Sequence, residues 1–130
     1  MRGVKNSTAL IFAAENGQIK VAEILLANGA SINVKADNGI TALMIGVAKG
    51  HLDVIEFLTS NEVEINAKNI KGHTALDIAN DLGDQRVIAI LKSNGAKAEQ
   101  KSLLSIGITA LIGILTLTIT LFTLFKQKNK

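Results

Sequence analysis

The residues best suited to chemistry in this chain are two histidines and three aspartates. His51 and His73 lie in different stretches of the sequence, and the absence of cysteine leaves no partners for a zinc site. Asp77, Asp81 and Asp84 follow helical spacing, which suits an acid–base pair, a cation site or a solvated helix face. We favour the solvated face. We therefore predict a protein that is not an enzyme, with no catalytic, cofactor-binding or metal-binding residue.

The charge distribution argues against nucleic-acid binding. The net charge is +3, but residues 1–97 hold ten Lys/Arg and ten Asp/Glu. The surplus comes from Lys101, Lys126, Lys128 and Lys130, less the one negative charge of Glu99. Without a basic stripe, and without Trp or Tyr to stack on bases, the chain lacks the features that nucleic-acid recognition needs.

The elements that position these residues repeat at an interval of 33 residues. The recurring landmarks are Thr-Ala-Leu at Thr8, Thr41 and Thr74; Gly17, Gly50 and Gly83; Ile-Asn at Ile32 and Ile65; and Asn28, Asn61 and Asn94. A threonine accepts a backbone N–H at a helix start, and a glycine adopts the left-handed backbone that ends a helix. Each unit is therefore predicted to begin with a capped helix of about two turns.

A second helix is predicted in each unit, because apolar residues follow the glycine at helical spacing. These expected core residues are Ile19, Val21, Ile24 and Leu25; Leu52, Val54, Ile55, Phe57 and Leu58; and Val87, Ile88, Ile90 and Leu91. Turn residues at Asp37-Asn38-Gly39 and Lys71-Gly72 connect the units.

Thr-Ala-Leu, Gly50-His51 and Asn-Gly-Ala at 28–30 and 94–96 make residues 4–97 resemble the ankyrin repeat family. The resemblance implies an all-α solenoid of helix-turn-helix pairs with β-hairpin turns, in repeats of about 8–40, 41–73 and 74–97. It also implies protein binding and a structural role for His51. The family's usual Pro and His are replaced by Ala9, Ala42 and Ala75 and by Ile11, Met44 and Asp77. These departures imply that the family's histidine network between repeats is missing and that stability is lower.

The two ends of a three-unit stack are expected to differ. No preceding repeat covers Ile11 and Phe12, so the first face frays, is covered by a partner, or belongs to a longer protein. The three aspartates make the third unit polar, as a terminal repeat should be.

The resemblance also places a candidate partner-binding surface on the turns and the adjacent helices. We call the following set the candidate surface: Glu15, Asn16, Lys35, Asp37, Asn38, Ile40, Ala48, Lys49, Lys68, Ile70, Lys71, His73, Asp81 and Leu82. Ile40 and Ile70 are apolar residues on turns. Either they face water and contact a partner, or each packs against its own turn.

A segment of 23 uncharged residues occupies positions 103–125, between a linker at 98–102 and a basic tail at 126–130. At about 1.5 Å per residue it is long enough to cross a bilayer. A buried helix of a soluble protein is the alternative. We predict one C-terminal transmembrane helix, inserted after synthesis in an unidentified membrane, with the N-terminal domain in the cytosol.

Small and hydroxyl residues follow one face of this predicted helix. They are Ser105, Thr109, Gly113, Thr116, Thr120 and Thr123. Either this face associates with another helix, including that of a second copy, or each hydroxyl bonds to its own preceding turn.

The function that follows is a tail-anchored, single-pass module that recruits a protein partner, of unknown identity, to a lipid bilayer. Two alternatives stay open. One is a structural subunit docked through its transmembrane helix. The other is a microbial effector inserted into a host membrane, since Ile, Lys and Asn make up 40 of 130 residues, as in AT-rich genomes.

Overall fold

The computed structural model describes residues 2–98 and 120–128, with side chains described for residues 8–98 and 120–128. The chain divides into two compact parts. Met1–Ala98 holds the three repeat units, and Glu99–Lys130 is the other part. Residues 2–98 contain six helices: α1 Arg2–Glu15, α2 Ile19–Ala27, α3 Ala42–Lys49, α4 Leu52–Thr59, α5 Ala75–Leu82 and α6 Gln85–Ser93. Each odd helix packs on the even helix that follows it. Helices α1, α3 and α5 form a first layer, and α2, α4 and α6 form a second.

Threonine caps begin the second and third units, as predicted. The Thr41 hydroxyl accepts from the Met44 amide at 3.2 Å. Thr74 accepts from the Asp77 amide at 3.2 Å, and the Asp77 carboxylate accepts from the Thr74 amide at 2.8 Å, which completes a capping box. The prediction for Thr8 is wrong, because α1 begins at Arg2 and runs through Thr8. The first helix therefore has 14 residues instead of about two turns.

Glycine ends the first helix of each unit, which confirms the sequence prediction. Gly17, Gly50 and Gly83 have φ values of 66°, 73° and 72°. This left-handed backbone is strained for any residue with a Cβ. The recurring asparagines lie at or next to the C-terminal caps of the second helices. The Nδ2 groups of Asn28, Asn61 and Asn94 donate to the carbonyl four residues earlier, at 2.7–2.8 Å.

The core runs continuously through the three units. Its largest fully buried side chains come from five of the six helices: Leu10, Leu43, Met44, Val47, Val54, Ile55, Leu58, Leu76, Val87 and Leu91. In α2, two expected core residues are exposed instead. Val21 is 42% and Ile24 is 61% exposed, whereas Ala22 is buried. The equivalents of Val21 are Val54 and Val87, which are buried, so the first unit lacks the cover that the later units receive.

The connections between units form tight turns, and none of the residues in 2–98 is in a β-strand. The expected β-hairpins are therefore reduced to hydrogen-bonded loops, here named the first finger (residues 34–40) and the second finger (residues 67–73). Each finger is closed by a backbone hydrogen bond between residues four apart in sequence. The Ala36 amide donates to the Ile40 carbonyl at 2.9 Å, and the Asn69 amide donates to the His73 carbonyl at 3.0 Å.

Within Glu99–Lys130, the structure describes residues 120–128, which form a helix. Leu121, Phe122, Leu124 and Phe125 are exposed on it, and the Lys126 ammonium lies 5.6 Å from the Phe122 ring centre. No helix in residues 2–98 or 120–128 has both the length and the apolarity needed to cross a membrane. Most of the predicted span, residues 103–119, lies outside the described residues, with Ser105, Thr109, Gly113 and Thr116. Thr120 and Thr123 lie on the described helix and are exposed.

Candidate protein-binding surface

The structure divides the candidate surface between helix ends and fingers. At the ends of the first-layer helices, Asn16, Ala48, Lys49, Asp81 and Leu82 are exposed, and Glu15 is half-buried. On the fingers, Lys35, Asp37, Asn38, Lys68, Ile70, Lys71 and His73 are exposed, and Ile40 is half-buried. Twelve of the fourteen predicted positions are therefore exposed, and the other two are partly accessible.

A groove brings part of this surface together in the first unit. Its volume is about 430 Å³, and we call it the first groove. Thr8, Ile11, Phe12 and Glu15 of α1 line one side, and Val34, Lys35, Ala36 and Asp37 of the first finger line the other. Three predicted contact residues, Glu15, Lys35 and Asp37, therefore meet around an apolar floor.

The two fingers are bonded to each other. The Ile70 amide donates to the Asn38 carbonyl at 3.1 Å, and the Lys35 ammonium donates to the Lys68 carbonyl at 3.0 Å. Gly39, with φ of +77°, lies so close to the second finger that an added Cβ would be 3.0 Å from the Asn69 Cα. This close approach needs glycine, and it fixes the spacing of the fingers.

The two apolar finger residues take different positions. Ile40 is half-buried and packs against the core of the stack. Ile70 is 74% exposed although its backbone amide is bonded to the first finger. The Asn69 side chain also accepts from the Lys71 and His73 amides, at 2.9 and 3.0 Å, which holds the tip of the second finger. Ile70 is thus an exposed apolar side chain on a braced loop.

A histidine bond between repeats is present at His51, whereas the histidines expected at positions 11, 44 and 77 are replaced. The His51 Nε2 donates to the carbonyl of Glu15 at 2.9 Å, which requires the proton on Nε2 because a carbonyl can only accept. The ring lies over Gly17, where a Cβ would be 2.7 Å from the His51 Nδ1. The structural role expected for His51 is therefore a specific link between the second and first units.

The asparagines of the two Ile-Asn landmarks, for which the sequence predicted no role, also join neighbouring units. The Asn33 side chain accepts from the Glu64 amide at 2.7 Å and donates to the Glu62 carbonyl at 3.4 Å. Asn66 makes the same pair of bonds one repeat later, with the Lys97 amide at 2.8 Å and the Gly95 carbonyl at 3.2 Å. The recurrence of Ile-Asn in the sequence could have indicated these bonds, because a polar residue repeated inside a turn often bonds to a neighbouring backbone.

The three aspartates of the third unit do not form a single face. Asp77 belongs to the capping box, and Asp84 caps α6 by accepting from the Arg86 and Val87 amides at 3.1 and 3.3 Å. Asp81 is exposed at the end of α5. Among the described residues, no group of three acidic, histidine or cysteine side chains is placed to hold a metal ion.

Comparison with known proteins supports the assignment that this geometry suggests. No curated protein matches the chain significantly. The family model described as "Ankyrin repeats (3 copies)" matches residues 10–102, which is well over half of the chain. The family is generally non-catalytic and its repeats serve protein–protein interaction. The chain therefore belongs to the ankyrin repeat family.

Proposed function

We propose that this chain is a membrane-anchored interaction module that recruits a protein partner at the cytosolic face of a membrane. One observation carries the first half of the proposal. Ile70 exposes most of its apolar side chain on a finger whose backbone is bonded to its neighbour. An apolar side chain held this way loses little conformational freedom on binding, which favours affinity.

The rest of the candidate surface suits the same role. The exposed helix ends of α1, α3 and α5 and the two fingers carry mixed charge and a few apolar residues. None of these exposed side chains is part of the buried core. The stack can therefore hold its shape while these positions contact a partner, and their substitution is expected to change binding more than folding.

The second half of the proposal concerns residues 103–125. They contain no charged residue over 23 positions, and 14 of them are Leu, Ile or Phe. At roughly −0.3 to −0.6 kcal/mol for each of these, insertion gains about 4 to 8 kcal/mol before the smaller polar costs. Anchoring would raise the effective concentration of the repeats for partners at that membrane.

Proximity labelling from the N-terminal domain in intact cells tests the binding role. We expect a defined set of labelled proteins that is lost when Ile70 and Leu82 are both changed to Asp. Ile24→Asp is the matched control, because Ile24 is exposed on α2 and is not part of the candidate surface. A set that is the same for all three chains would contradict the proposal.

Replacing residues 103–125 by an unrelated transmembrane helix tests the role of the anchor. If the segment only tethers the repeats, the labelled set should be retained. If the chain is a structural subunit docked through its own helix, the set should be lost. Recovery of the native full-length chain as a soluble monomer without detergent would contradict anchoring itself.

A further inference from the structure

Two acidic side chains line the first groove without a partner in the repeat stack. Glu15 ends α1 and Asp37 lies on the first finger. No hydrogen bond or ion pair joins either carboxylate to another group in the described parts of the chain. Both groups are therefore free to pair with a cation supplied from outside.

Lys35 is the one basic residue among the described lining residues of the groove, and no ion pair joins it to Glu15 or Asp37 there. The Lys35 ammonium donates to the Lys68 carbonyl at 3.0 Å, so it is directed to the second finger. The Glu15 end of the groove also coincides with the C-terminus of α1, where the helix dipole places partial negative charge. The electrostatic potential at this end of the groove is therefore expected to favour cations.

The floor of the same groove is apolar. Ile11, Phe12 and Val34 line it, and Phe12 is 60% exposed. Covering the exposed part of a phenylalanine is favourable by about 25 cal/mol per Å² of apolar surface. The groove volume of about 430 Å³ is within the range of sites that accept side chains or small ligands.

This combination belongs to the first unit alone. At the positions that correspond to Glu15 in the second and third units, the chain has Ala48 and Asp81. At the position that corresponds to Asp37 in the second finger, it has Ile70. Two carboxylates around an apolar floor are thus a particular property of this groove and not a general consequence of the repeat.

We infer that the first groove binds a peptide segment that places an apolar side chain against Phe12 and a Lys or Arg between Glu15 and Asp37. The inference rests on the proposed function and names the chemistry of the partner. An Arg suits these acidic groups best, since its planar group donates two parallel hydrogen bonds to a carboxylate. Phosphate groups and acidic peptides are disfavoured by the same two charges.

Selection from a phage-displayed library of random linear peptides, with the full chain in a mild detergent as bait, tests this inference. The selected peptides should carry an apolar residue next to a Lys or Arg. Their affinity, measured by fluorescence anisotropy, should fall about tenfold for the E15Q/D37N double variant and should weaken with added salt. Both substitutions remove charge while keeping side-chain size.

Matched variants separate the groove from the rest of the surface. Glu56→Gln removes a charge from an exposed residue of α4 that lies outside the candidate surface and the groove lining, and it should leave the affinity unchanged. Phe12→Ser should weaken binding, whereas Ile24→Ser should not, because Ile24 is equally exposed and lies outside the groove lining.

Three outcomes would overturn the inference: no enriched peptide, enriched peptides without a basic residue, or an unchanged affinity for E15Q/D37N. Peptides that need Ile70 but not Glu15 or Asp37 would contradict the inference and leave the proposed function standing. Failure of the proximity-labelling test would instead contradict the proposed function.

Discussion

The two ends of the repeat stack are built in opposite ways. At the N-terminal end, Val21 is 42% exposed in α2, whereas its equivalent in α6, Val87, is 1% exposed. Phe12 is likewise 60% exposed, whereas its equivalents Ile45 and Ile78 are half-buried. Apolar side chains at the same repeat position are thus more buried in the later units than in the first.

At the C-terminal end the residue types change instead of their cover. Asn80 is exposed at the position where Val47 and Ala14 are buried. Lys92 is exposed at the position where Leu26 and Thr59 are half-buried. The residue types of the third unit therefore suit the end of a stack, whereas the first unit keeps the residues of an internal repeat.

Substitution of the equivalent valines by Asp should give the largest difference in stability between the two ends of the stack. Val87→Asp buries an unpaired carboxylate and should cost about 3 kcal/mol or more, enough to unfold much of the stack. Val21→Asp leaves the carboxylate in contact with water and should cost less than about 1 kcal/mol. Urea unfolding of the full chain in detergent, followed by far-UV circular dichroism, measures both. Equal costs would show that the N-terminal end is covered after all.

Loss of an asparagine link should have an intermediate effect. Asn66→Ala removes two hydrogen bonds to the segment after α6 and should lower the free energy of unfolding by about 1–2 kcal/mol. Asn80→Ala is the control, because no hydrogen bond of the Asn80 side chain is found in the described residues. A control that destabilises as much as Asn66→Ala would argue against the links between units.

Substitution of the repeated threonines by alanine should have the smallest effect. The change in stability should differ between the first and third units. Thr74→Ala removes half of a capping box and should cost about 1 kcal/mol. Thr8→Ala falls inside α1, where alanine is the better helix former, and should change the unfolding free energy by less than about 0.5 kcal/mol. Thermal unfolding of the two variants distinguishes them, and a larger loss for Thr8→Ala would contradict the long first helix.

Much of the fold could be predicted because the repeat makes each landmark visible three times. Glycine at 17, 50 and 83 marked the helix ends, and threonine at 41 and 74 marked two helix starts. The same repetition misled at the first unit. Thr8 has the sequence pattern of a helix cap but lies inside a helix, and Val21 and Ile24 have the spacing of core residues but are exposed.

The candidate surface was harder to predict than the helices. Whether Ile40 or Ile70 faces water depends on contacts between fingers that are far apart in sequence. The first groove also depends on the approach of the first finger to α1, which no periodicity reports. Local patterns therefore predicted the elements, whereas the long-range contacts that shape the surface could not be predicted from them.

Amide hydrogen exchange over residues 8–98 of the full chain in detergent tests most directly whether cover by a preceding unit sets the order of the stack. Amides of α3 and α4 in the middle unit should exchange slowest, and those of α2 should exchange faster than those of α6, because α6 buries Val87 and Leu91 whereas α2 exposes Val21 and Ile24. Faster exchange in α6 than in α2 would show that cover by a preceding unit does not set the stability of the helices.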